Sequence, residues 1–382
     1  MKRVAIVTGT RAEYGILKPV IEKIGESKQF APVIAATGMH LSPEFGKTIG
    51  QIEQDGFAMA AQVDMLFSSN STAAMGKSLG IGLYGLTQEF ERLKPTFVVV
   101  LGDRIEAMAG AMAGLFSGAV VAHIHGGDVT QGGIDEYLRH AITKLAHVHF
   151  PATDKSRERI IHMGENPDYV YPVGTPGLDD LLSYPEYSDQ QLSEALGVSI
   201  PSRFALVVQH PISTHPETAV EEIEATLSAL KYSGIHTFLI YPNADAGSRD
   251  MIDAIRQYEN EPWIDLFVSL PRALYCNLLR RAAVLVGNSS SGMIDAPAFG
   301  LPVINVGERQ EGRERGENVI DVAAARSEIE KAINRALTDQ NFLARCQHTI
   351  NPYGDGKASE RIVRILESVN PAKAKRSKRL PW

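Results

Sequence analysis

Short runs of β-branched and other apolar residues alternate with longer amphipathic segments, and this alternation occurs as two successive series along the chain. Nearly continuous apolar strands separated by helices are typical of parallel sheets that are covered on both faces. The pattern therefore predicts an α/β protein with two doubly wound, Rossmann-like domains. The strands that we expect are RVAIVTG, APVIAATG, TFVVVLG, AVVAHIHG, HVHFPAT and YVYPVG in the first series, and FALVVQH, HTFLIYPN, IDLFVSL, AVLVGNSS and PVINVG in the second.

Glycine, proline and aspartate cluster in VGTPGLDDLLSYPEYSD (173–189), where we expect the first domain to end. The prediction is an N-terminal domain over 1–175 and a C-terminal domain over 176–355. A helix over 356–370 is expected to pack back on the N-terminal domain, and residues 371–382 are expected to form a basic, solvated tail.

Length, charge and cysteine content narrow the class of protein. A chain of 382 residues can form two domains, each with its own core. The net charge of −7 gives no general reason to bind nucleic acid or an anionic membrane. The two cysteines, Cys276 and Cys346, have neither metal-site nor disulfide spacing. No apolar run approaches the roughly 18 residues that span a bilayer, and a strand begins too early for a signal peptide, so we expect a cytoplasmic protein.

Polar residues occur at the carboxyl ends of seven expected strands, which is where open parallel sheets bind their ligands. A Ser or Asp at one such end is explained equally well by helix capping. Arginine, histidine and aspartate at seven ends are not, so the sequence predicts a polar cleft between the two domains. The segments are Thr10-Arg11, Gly38–His40, Gly102–Arg104, His125–Asp128, Gln209–Pro211, Asn243–Ser248 and Gly287–Gly292.

The second domain is predicted to bind a nucleotide. The segment GNSSSGMIDA places Ser289 and Ser290 at a helix N-terminus, where free N–H groups and the helix dipole favour a diphosphate. Arg309, Arg313 and Arg315 follow, and guanidinium groups suit phosphate oxygens. The alternative for this stretch is a capped helix followed by a solvated charged loop.

The first domain is predicted to carry acid–base chemistry. Asp103, Asp128 and Asp135 lie at or just beyond strand ends, with His40 and His125 close by in the expected fold. Several carboxylates that face one cleft can shift each other's pKa values apart and serve as separate acid and base.

The histidines of this domain suggest one alternative. In HIH, His123 and His125 would lie on the same face of a strand, which is compatible with a metal site. His147 and His149 in HVHF are expected to be structural.

Taken together, the motifs resemble the UDP-N-acetylglucosamine 2-epimerases, and specifically the hydrolysing branch that feeds sialic acid synthesis. The resemblance implies the GT-B-like two-domain fold of many nucleotide-sugar glycosyltransferases, with the active site in the interdomain cleft. It also implies a homodimer or homotetramer. The matching segments, between residue 7 and about residue 321, are TGTRAEYG, TGMH, LGDRIEA, HIHGGD, DEYLRHAITKLAH, NADAGS and GNSSSGMIDAPAFGLPVINVGERQEGRERGENVIDV.

The reaction that the resemblance implies converts UDP-GlcNAc and water to ManNAc and UDP. A base removes the C2 proton while UDP leaves C1, which gives a glycal unsaturated between C1 and C2. Water then adds to the glycal with the opposite sense at C2. The implied partner is a UDP-sugar, and the resemblance implies neither a nicotinamide cofactor nor a catalytic metal.

The resemblance also assigns roles to residues. Asp103, Asp128 and Asp135 would form the acid/base set, and His210 would contact the phosphate and assist departure of the leaving group. Arg11 would neutralise the charge that grows on the diphosphate. The expected substrate- and UDP-binding residues are Arg11, His40, Arg104, Asn243, Asp245, Ser289, Ser290, Asp295 and Arg309.

Two positions depart from the family pattern. The family often has glutamate where this chain has Asp128, and usually where it has Asp295, which is expected to hold the ribose hydroxyls. Aspartate is one methylene shorter and moves the carboxylate by roughly 1 Å, enough to affect proton transfer. At position 128 this difference fits either a different sugar or a cleft that is set slightly closer.

Four other functions are open at this point. The first is the same hydrolytic chemistry on UDP-N,N'-diacetylbacillosamine, for legionaminic acid synthesis. The second is a non-hydrolysing epimerase that returns UDP-ManNAc. A glycosyltransferase of the same architecture would need an acceptor, and a non-catalytic nucleotide-sugar sensor would have no use for buried carboxylates, which are costly without a task.

Overall fold

In a computed structural model, the chain forms two compact units. Unit 1 contains Met1–Asp180 together with Tyr353–Trp382, and unit 2 contains Leu181–Pro352. The residues that the structure describes are 1–43, 47–67, 72–129, 134–212, 215–242, 247–376 and 378.

Unit 1 is built on a parallel sheet. Its strands are β1 (Lys2–Thr8), β2 (Phe30–Thr37), β3 (Met59–Val63), β4 (Phe97–Leu101), β5 (Val120–Ile124) and β6 (Val148–Phe150). In the described residues the strand order is β3-β2-β1-β4-β5-β6, and every pair is parallel. Leu101 at the end of β4 pairs with Ile124 at the end of β5. The residues that follow these two strands therefore leave the sheet at the same level.

Helices cover both faces of this sheet. Val4 of β1 packs with Leu17 on one face, whereas Ala5 packs with Phe90 and Ala109 on the other. This two-sided burial explains why the strands are nearly continuous apolar runs. The helices up to the unit boundary are α1 (Arg11–Glu26), α2 (Ile49–Gln54), α3 (Thr72–Leu93), α4 (Ile105–Phe116), α5 (Ile134–Leu145), α6 (Asp154–His162) and α7 (Pro176–Ser183).

Unit 2 repeats the same architecture. Its strands are β7 (Phe204–Val208), β8 (His236–Ile240), β9 (Ile264–Phe267), β10 (Val284–Gly287), β11 (Val303–Val306) and β12 (Val319–Val322). The order across the described strands is β12-β11-β10-β7-β8-β9, again all parallel. When the strands are numbered from the first strand of each unit, both sheets have the order 3-2-1-4-5-6, which is the Rossmann order. The prediction of two doubly wound α/β domains is confirmed.

The remaining helices complete unit 2 and return the chain to unit 1. In unit 2 they are α8 (Asp189–Leu196), α9 (Ala219–Ser233), α10 (Ser248–Arg256), α11 (Arg272–Arg281), α12 (Ser291–Ile294), α13 (Arg326–Thr338) and α14 (Gln340–Gln347), and in unit 1 they are α15 (Ala358–Ser368) and α16 (Pro371–Lys375). No helix in the described part of the chain is both long and apolar enough to span a bilayer.

Helix α15 belongs to the core of unit 1. Its Ile362 and Leu366 are fully buried in the same cluster as α1. The Asp179 carboxylate accepts hydrogen bonds from the backbone N–H groups of Ala358 and Ser359, at 3.0 and 2.6 Å, so a side chain of α7 satisfies the start of α15.

The solvated tail predicted over 371–382 needs correction. Residues 371–375 form a helix in which Ala374 is buried. Beyond it, the Lys378 ammonium group pairs with the buried Glu165 carboxylate. Among the described residues of this segment, Ala374 is therefore buried and Lys378 is paired, whereas Lys373, Lys375 and Arg376 are exposed.

One predicted strand is absent from the described structure and two strands occur that were not predicted. YVYPVG is not a strand, because residues 167–169 form a 3₁₀ turn and the described backbone pairs only through a bridge between His149 and Val170. Strands β3 and β12 were not expected. Both lie at a sheet edge and are only partly buried, so neither has the continuous apolar run of a central strand.

Candidate active site

The carboxyl ends of β4 and β5 bring acidic residues together in unit 1. Asp103 follows β4, and Asp128 follows β5. The Arg139 side chain from α5, which is only 4% exposed, pairs with the Asp103 carboxylate and donates a 3.0 Å hydrogen bond to the Asp128 carbonyl. A second carboxylate, that of Glu136, also pairs with Arg139. One buried guanidinium thus links the two strand ends.

Asp135 is the third predicted acid, and it lies in the first turn of α5. Its pKa is raised, first because partial burial disfavours the charged form and then because the Asp103 charge is close. The positive charges of Arg104 and Arg139 oppose this shift. Asp103 and Asp135 therefore influence each other electrostatically, as the acid–base hypothesis requires.

The Asp128 carboxylate is held by its own neighbours. The Ser156 hydroxyl, in the first turn of α6, donates a 2.8 Å hydrogen bond to Asp128 Oδ1. His125 Nδ1 lies 4.0 Å from Asp128 Oδ2, while His125 Nε2 lies 3.0 Å from the Thr175 hydroxyl. The short aspartate side chain is thus fixed by α6 and remains 30% exposed.

The two basic residues predicted for substrate binding in unit 1 are placed differently. Arg11 is the first residue of α1, directly after the Thr10 N-cap, and its side chain is exposed. It has no hydrogen bond or ion pair with the residues that the structure describes. Arg104, by contrast, pairs with the buried Glu106, with Arg104 Nε 3.3 Å from Glu106 Oε2.

His40 is not at the surface, contrary to the expected contact with substrate. Its ring is fully buried, with Nε2 3.0 Å from the Thr8 hydroxyl and Nδ1 2.8 Å from the Thr48 hydroxyl. Burial lowers the pKa of His40 to about 4, so the ring is neutral at pH 7. In this structure His40 braces the end of β1.

The histidines of β5 and β6 are engaged by protein groups. His123 Nε2 lies 2.7 Å from the Gly102 carbonyl, and burial lowers the His123 pKa to about 3. His147 Nδ1 accepts the Val121 N–H, and His149 contacts Glu165, which confirms the structural assignment of this pair. Within the described ranges no three His, Cys, Asp or Glu side chains are grouped to hold a metal ion.

In unit 2, Asn288 organises the polar ends of β7 and β10. Its side chain exchanges two hydrogen bonds with the His210 backbone, at 2.7 and 2.8 Å. Its carbonyl accepts from Arg309 Nη1 at 3.2 Å and Gln310 Nε2 at 2.9 Å. Asn288, from the predicted polar strand end 287–292, therefore joins the His210 backbone to Arg309, and Gln310, which was not singled out, also contacts it.

Residues of α11 and α12 form a second polar group in unit 2. The Ser291 hydroxyl donates a 2.7 Å hydrogen bond to Asp295 Oδ2 and lies 2.5 Å from the Tyr275 hydroxyl. Arg272 Nη2 is 3.9 Å from Asp295 Oδ1. Burial raises the pKa of Asp295, and Arg272 and the Ser291 hydrogen bond oppose that shift. Asp295, predicted to hold ribose hydroxyls, is thus oriented by Ser291.

The segment that was predicted to bind a diphosphate precedes only a short helix. Ser289 and Ser290 precede α12, which has only four residues, and the Ser290 side chain makes no capping hydrogen bond. Ser289 Oγ accepts a 3.3 Å hydrogen bond from the Ser291 N–H. Asn243 and Asp245, also predicted to line the nucleotide side, lie outside the described residues.

Comparison with known proteins identifies the family. The family model for UDP-N-acetylglucosamine 2-epimerase matches residues 22–367. The chain is 34% identical to the UDP-N,N'-diacetylbacillosamine 2-epimerase (hydrolyzing) of Legionella pneumophila, over 97% of this chain and 96% of the relative. It is 31% identical to the UDP-N-acetylglucosamine 2-epimerase of Neisseria meningitidis, over 96% of each.

A solved structure shares the fold. The crystal structure of UDP-GlcNAc 2-epimerase from Neisseria meningitidis, bound to UDP-GlcNAc, has a TM-score of 0.80 and 19% identity to this chain, and the similarity covers 96% of this chain and 100% of that one. The family model and both relatives match almost the whole chain. The chain belongs to the UDP-N-acetylglucosamine 2-epimerase family.

Proposed function

We propose that this protein is a hydrolysing 2-epimerase that converts UDP-GlcNAc and water to ManNAc and UDP. The observation that carries the proposal is the acidic cluster of unit 1, in which Arg139 links Asp103 to the Asp128 backbone while Asp103 acts on Asp135. The chain's 34% identity to a relative named as hydrolysing supports the same reaction class.

The first step is an elimination. A carboxylate takes the C2 proton, the C–H electrons form the C1–C2 double bond, and the C1–O electrons leave with UDP. Asp103 and Asp128 are the two residues that we assign to this base role, because both lie at strand ends with part of the carboxylate open to solvent. Arg11, exposed and without a partner among the described residues, is suited to the negative charge on the departing diphosphate.

The second step hydrates the glycal. The water oxygen bonds to C1 and gives one of its protons to an ionised carboxylate of the cluster, while the electrons of the C1–C2 double bond take a proton at C2 on the face opposite to the one that lost it, which gives ManNAc. We assign Asp135 as the proton donor, because its raised pKa favours the protonated form that an acid needs. The proton lost at C2 and the proton gained there thus pass through different carboxyl groups.

We assign the nucleotide to the polar groups of unit 2. Asn288 holds the His210 backbone and is itself contacted by Arg309, so these groups form one preorganised cluster. Ser291 orients the Asp295 carboxylate, which is the group proposed to accept hydrogen bonds from ribose hydroxyls.

A second substrate, UDP-N,N'-diacetylbacillosamine, is favoured by a specific observation. Relatives from Legionella pneumophila and Campylobacter jejuni, at 34% and 32% identity, are named for that sugar. The relative named for UDP-GlcNAc is 31% identical. The chemistry proposed for the acidic cluster is the same in both cases, and the two substrates differ at C4 and C6.

Proton NMR in D₂O, with each UDP-sugar in a parallel tube and no acceptor present, tests the proposal. We expect free ManNAc deuterated at C2, together with UDP, from UDP-GlcNAc. Turnover only of UDP-N,N'-diacetylbacillosamine would assign the second substrate. UDP-ManNAc as the product would indicate a non-hydrolysing epimerase, and no product in either tube would contradict the epimerase and favour an acceptor-dependent transferase.

We also propose that the protein acts as a homodimer, which the family resemblance supports. Size-exclusion chromatography with light scattering tests this directly: a mass of one chain at micromolar concentration would contradict it.

A further inference from the structure

Glu106 is a charged residue that the reaction proposed above does not use, although it is fully buried. It lies in the first turn of α4, three positions after Asp103. An ionised side chain at such a position is costly unless it is paired. Its surroundings therefore indicate a specific task.

Two glycines make room for Glu106. A Cβ atom added to Gly9, after β1, would lie 2.5 Å from Glu106 Cγ, and one added to Gly38, after β2, would lie 2.5 Å from Glu106 Oε1. Both distances are far below any normal contact. The turns after β1 and β2 are thus glycine where the Glu106 side chain passes beneath them.

Arg104 is the cation that Glu106 holds. Arg104 Nε lies 3.3 Å from Glu106 Oε2, and Arg104 Nη2 donates to Glu106 Oε1, also at 3.3 Å. The Arg104 side chain is 38% exposed. One end of the pair is therefore fixed in the core while the guanidinium reaches the end of β4, beside Asp103.

A second buried carboxyl group, that of Glu13, adjoins the pair. Glu13 Oε2 accepts the backbone N–H groups of Gly9 and Thr10, at 2.8 and 3.0 Å. Burial and then the charge of Glu106 raise the pKa of Glu13 to about 7, and Arg104 acts in the opposite direction. The Arg104 guanidinium thus pairs with Glu106 and also acts electrostatically on Glu13.

We propose that Glu106 is a positioning residue that holds the Arg104 guanidinium at the end of β4 and balances its charge, so that Arg104 presents a fixed cation to the anionic part of the substrate and to Asp135. The identity of that anion, the diphosphate of a UDP-sugar, rests on the proposed function. The placement of Arg104 by Glu106 does not.

The charged groups that face Asp135 determine the sign of the expected effect. They are Asp103 after β4, Arg104 and Glu106 at the start of α4, and Arg139 on α5. Removing the Glu106 charge leaves Arg104 unbalanced, which lowers the pKa of Asp135. If Asp135 acts as the acid, activity is lost as the pH rises through that pKa, so the loss begins at a lower pH.

Two substitutions distinguish the effect of the Glu106 charge from the effect of its side-chain length: Glu106→Gln removes the charge, and Glu106→Asp shortens the side chain. For Glu106→Gln we expect kcat/KM to fall about tenfold and the alkaline limb of its pH profile to move down by about half to one pH unit. Glu106→Asp keeps the charge but retracts it, so kcat/KM falls while the limb stays in place. An unmoved limb in Glu106→Gln would overturn the proposal. Glu91→Gln, an exposed carboxylate on α3, is the matched control.

A double-mutant cycle tests whether Glu106 acts through Arg104. Because the same guanidinium is involved, Glu106→Gln is expected to cost little further activity in an Arg104→Gln background. Additive losses in kcat/KM would contradict this. Arg104→Gln alone is expected to move the alkaline limb of the kcat/KM profile to higher pH, because the Arg104 charge lowers the pKa of Asp135. This variant provides an independent test if Glu106→Gln does not fold.

Carboxyl ¹³C NMR of the substrate-free protein needs no turnover. We expect Glu13 to titrate near pH 7 in the wild type and at lower pH in Glu106→Gln, because a like charge is removed. An unchanged Glu13 titration would overturn the charge-sharing part of the proposal. If neither UDP-sugar is converted, the proposed function fails, while this titration still tests the charge that Glu106 supplies next to Glu13 and Arg104.

Discussion

Asp103 and Arg139 form an ion pair although 36 positions separate them in the chain. Asp103 follows the end of β4, while Arg139 lies in the second turn of α5 and is almost fully buried. The same guanidinium contacts the Asp128 carbonyl. The orientation of two predicted acid–base residues therefore depends on how α5 packs against the sheet.

Replacing Asp103 by Asn is expected to lower kcat about 10²- to 10⁴-fold, the usual contribution of an acid or base. The amide oxygen still accepts from Arg139, so the melting temperature is expected to stay within a few degrees of wild type. Steady-state release of UDP and a thermal melt measure the two effects. Asp64→Asn, an exposed aspartate after β3, is the control. An Asp103→Asn enzyme with near-normal kcat would remove Asp103 from the chemistry.

Lengthening Asp128 to Glu is expected to lower kcat/KM about 10- to 100-fold, because the carboxylate moves by roughly 1 Å. The Ser156 hydroxyl holds the shorter side chain at 2.8 Å, and this hydrogen bond cannot keep its geometry after the extension. Kinetics on both UDP-sugars measure the effect. Ser156→Ala, which frees the aspartate without lengthening it, is expected to lose several-fold less. Equal or higher activity of Asp128→Glu would show that the aspartate is not fitted to this site.

Acid is expected to destabilise the protein through His123. Burial lowers the folded-state pKa of His123 to about 3, below its ordinary value of 6.5. The unfolded chain therefore binds the proton first, and the stability present above about pH 6.5 is lost as the pH falls toward 3. His123→Gln removes this titration, so its melting temperature is expected to fall less than that of wild type between pH 7.5 and 5. His348→Asn, on an exposed ring, should retain the wild-type pH dependence.

Tyr275→Phe is expected to weaken UDP binding about fivefold, the equivalent of one net hydrogen bond. Without the phenol hydroxyl, Ser291 loses one of the two groups that fix it and orients Asp295 less firmly. Isothermal titration calorimetry with UDP measures the affinity. The exposed Tyr232→Phe provides the control. Unchanged affinity in Tyr275→Phe would show that this hydroxyl supports only the fold.

Sequence patterns were most informative for strands that are buried on both faces. Strands β4 and β7, and Val4–Val7 of β1, are apolar without interruption because helices cover both sides of the sheet. The edge strands β3 and β12 lack this signal, whereas the apolar segment YVYPVG packs against the core and pairs beside β6 only through the bridge between His149 and Val170. Periodicity reports burial, and burial does not distinguish a strand from an extended segment.

The site was predictable where position along a strand defines it. The rule that ligands bind at strand ends located Asp103 and Asp128, but it gave no signal for Arg139 or Glu106. Both lie inside helices, where a charged residue usually indicates a solvated face or a helix end. Their partners become visible only when the helices are packed, and the burial of His40 likewise follows from tertiary contacts of its ring.

The discontinuity of unit 1 has a consequence for biosynthesis. Residues 1–180 leave the ribosome well before α15, yet Ile362 and Leu366 of that helix are part of the core that covers α1. Until unit 2 has been translated, the nascent first unit exposes the apolar surface that α15 will cover, and such surface is prone to aggregation. Premature termination of translation within unit 2 would therefore leave unit 1, which carries the acidic cluster, without α15. A stop codon in unit 2 is thus expected to prevent the correct folding of both units.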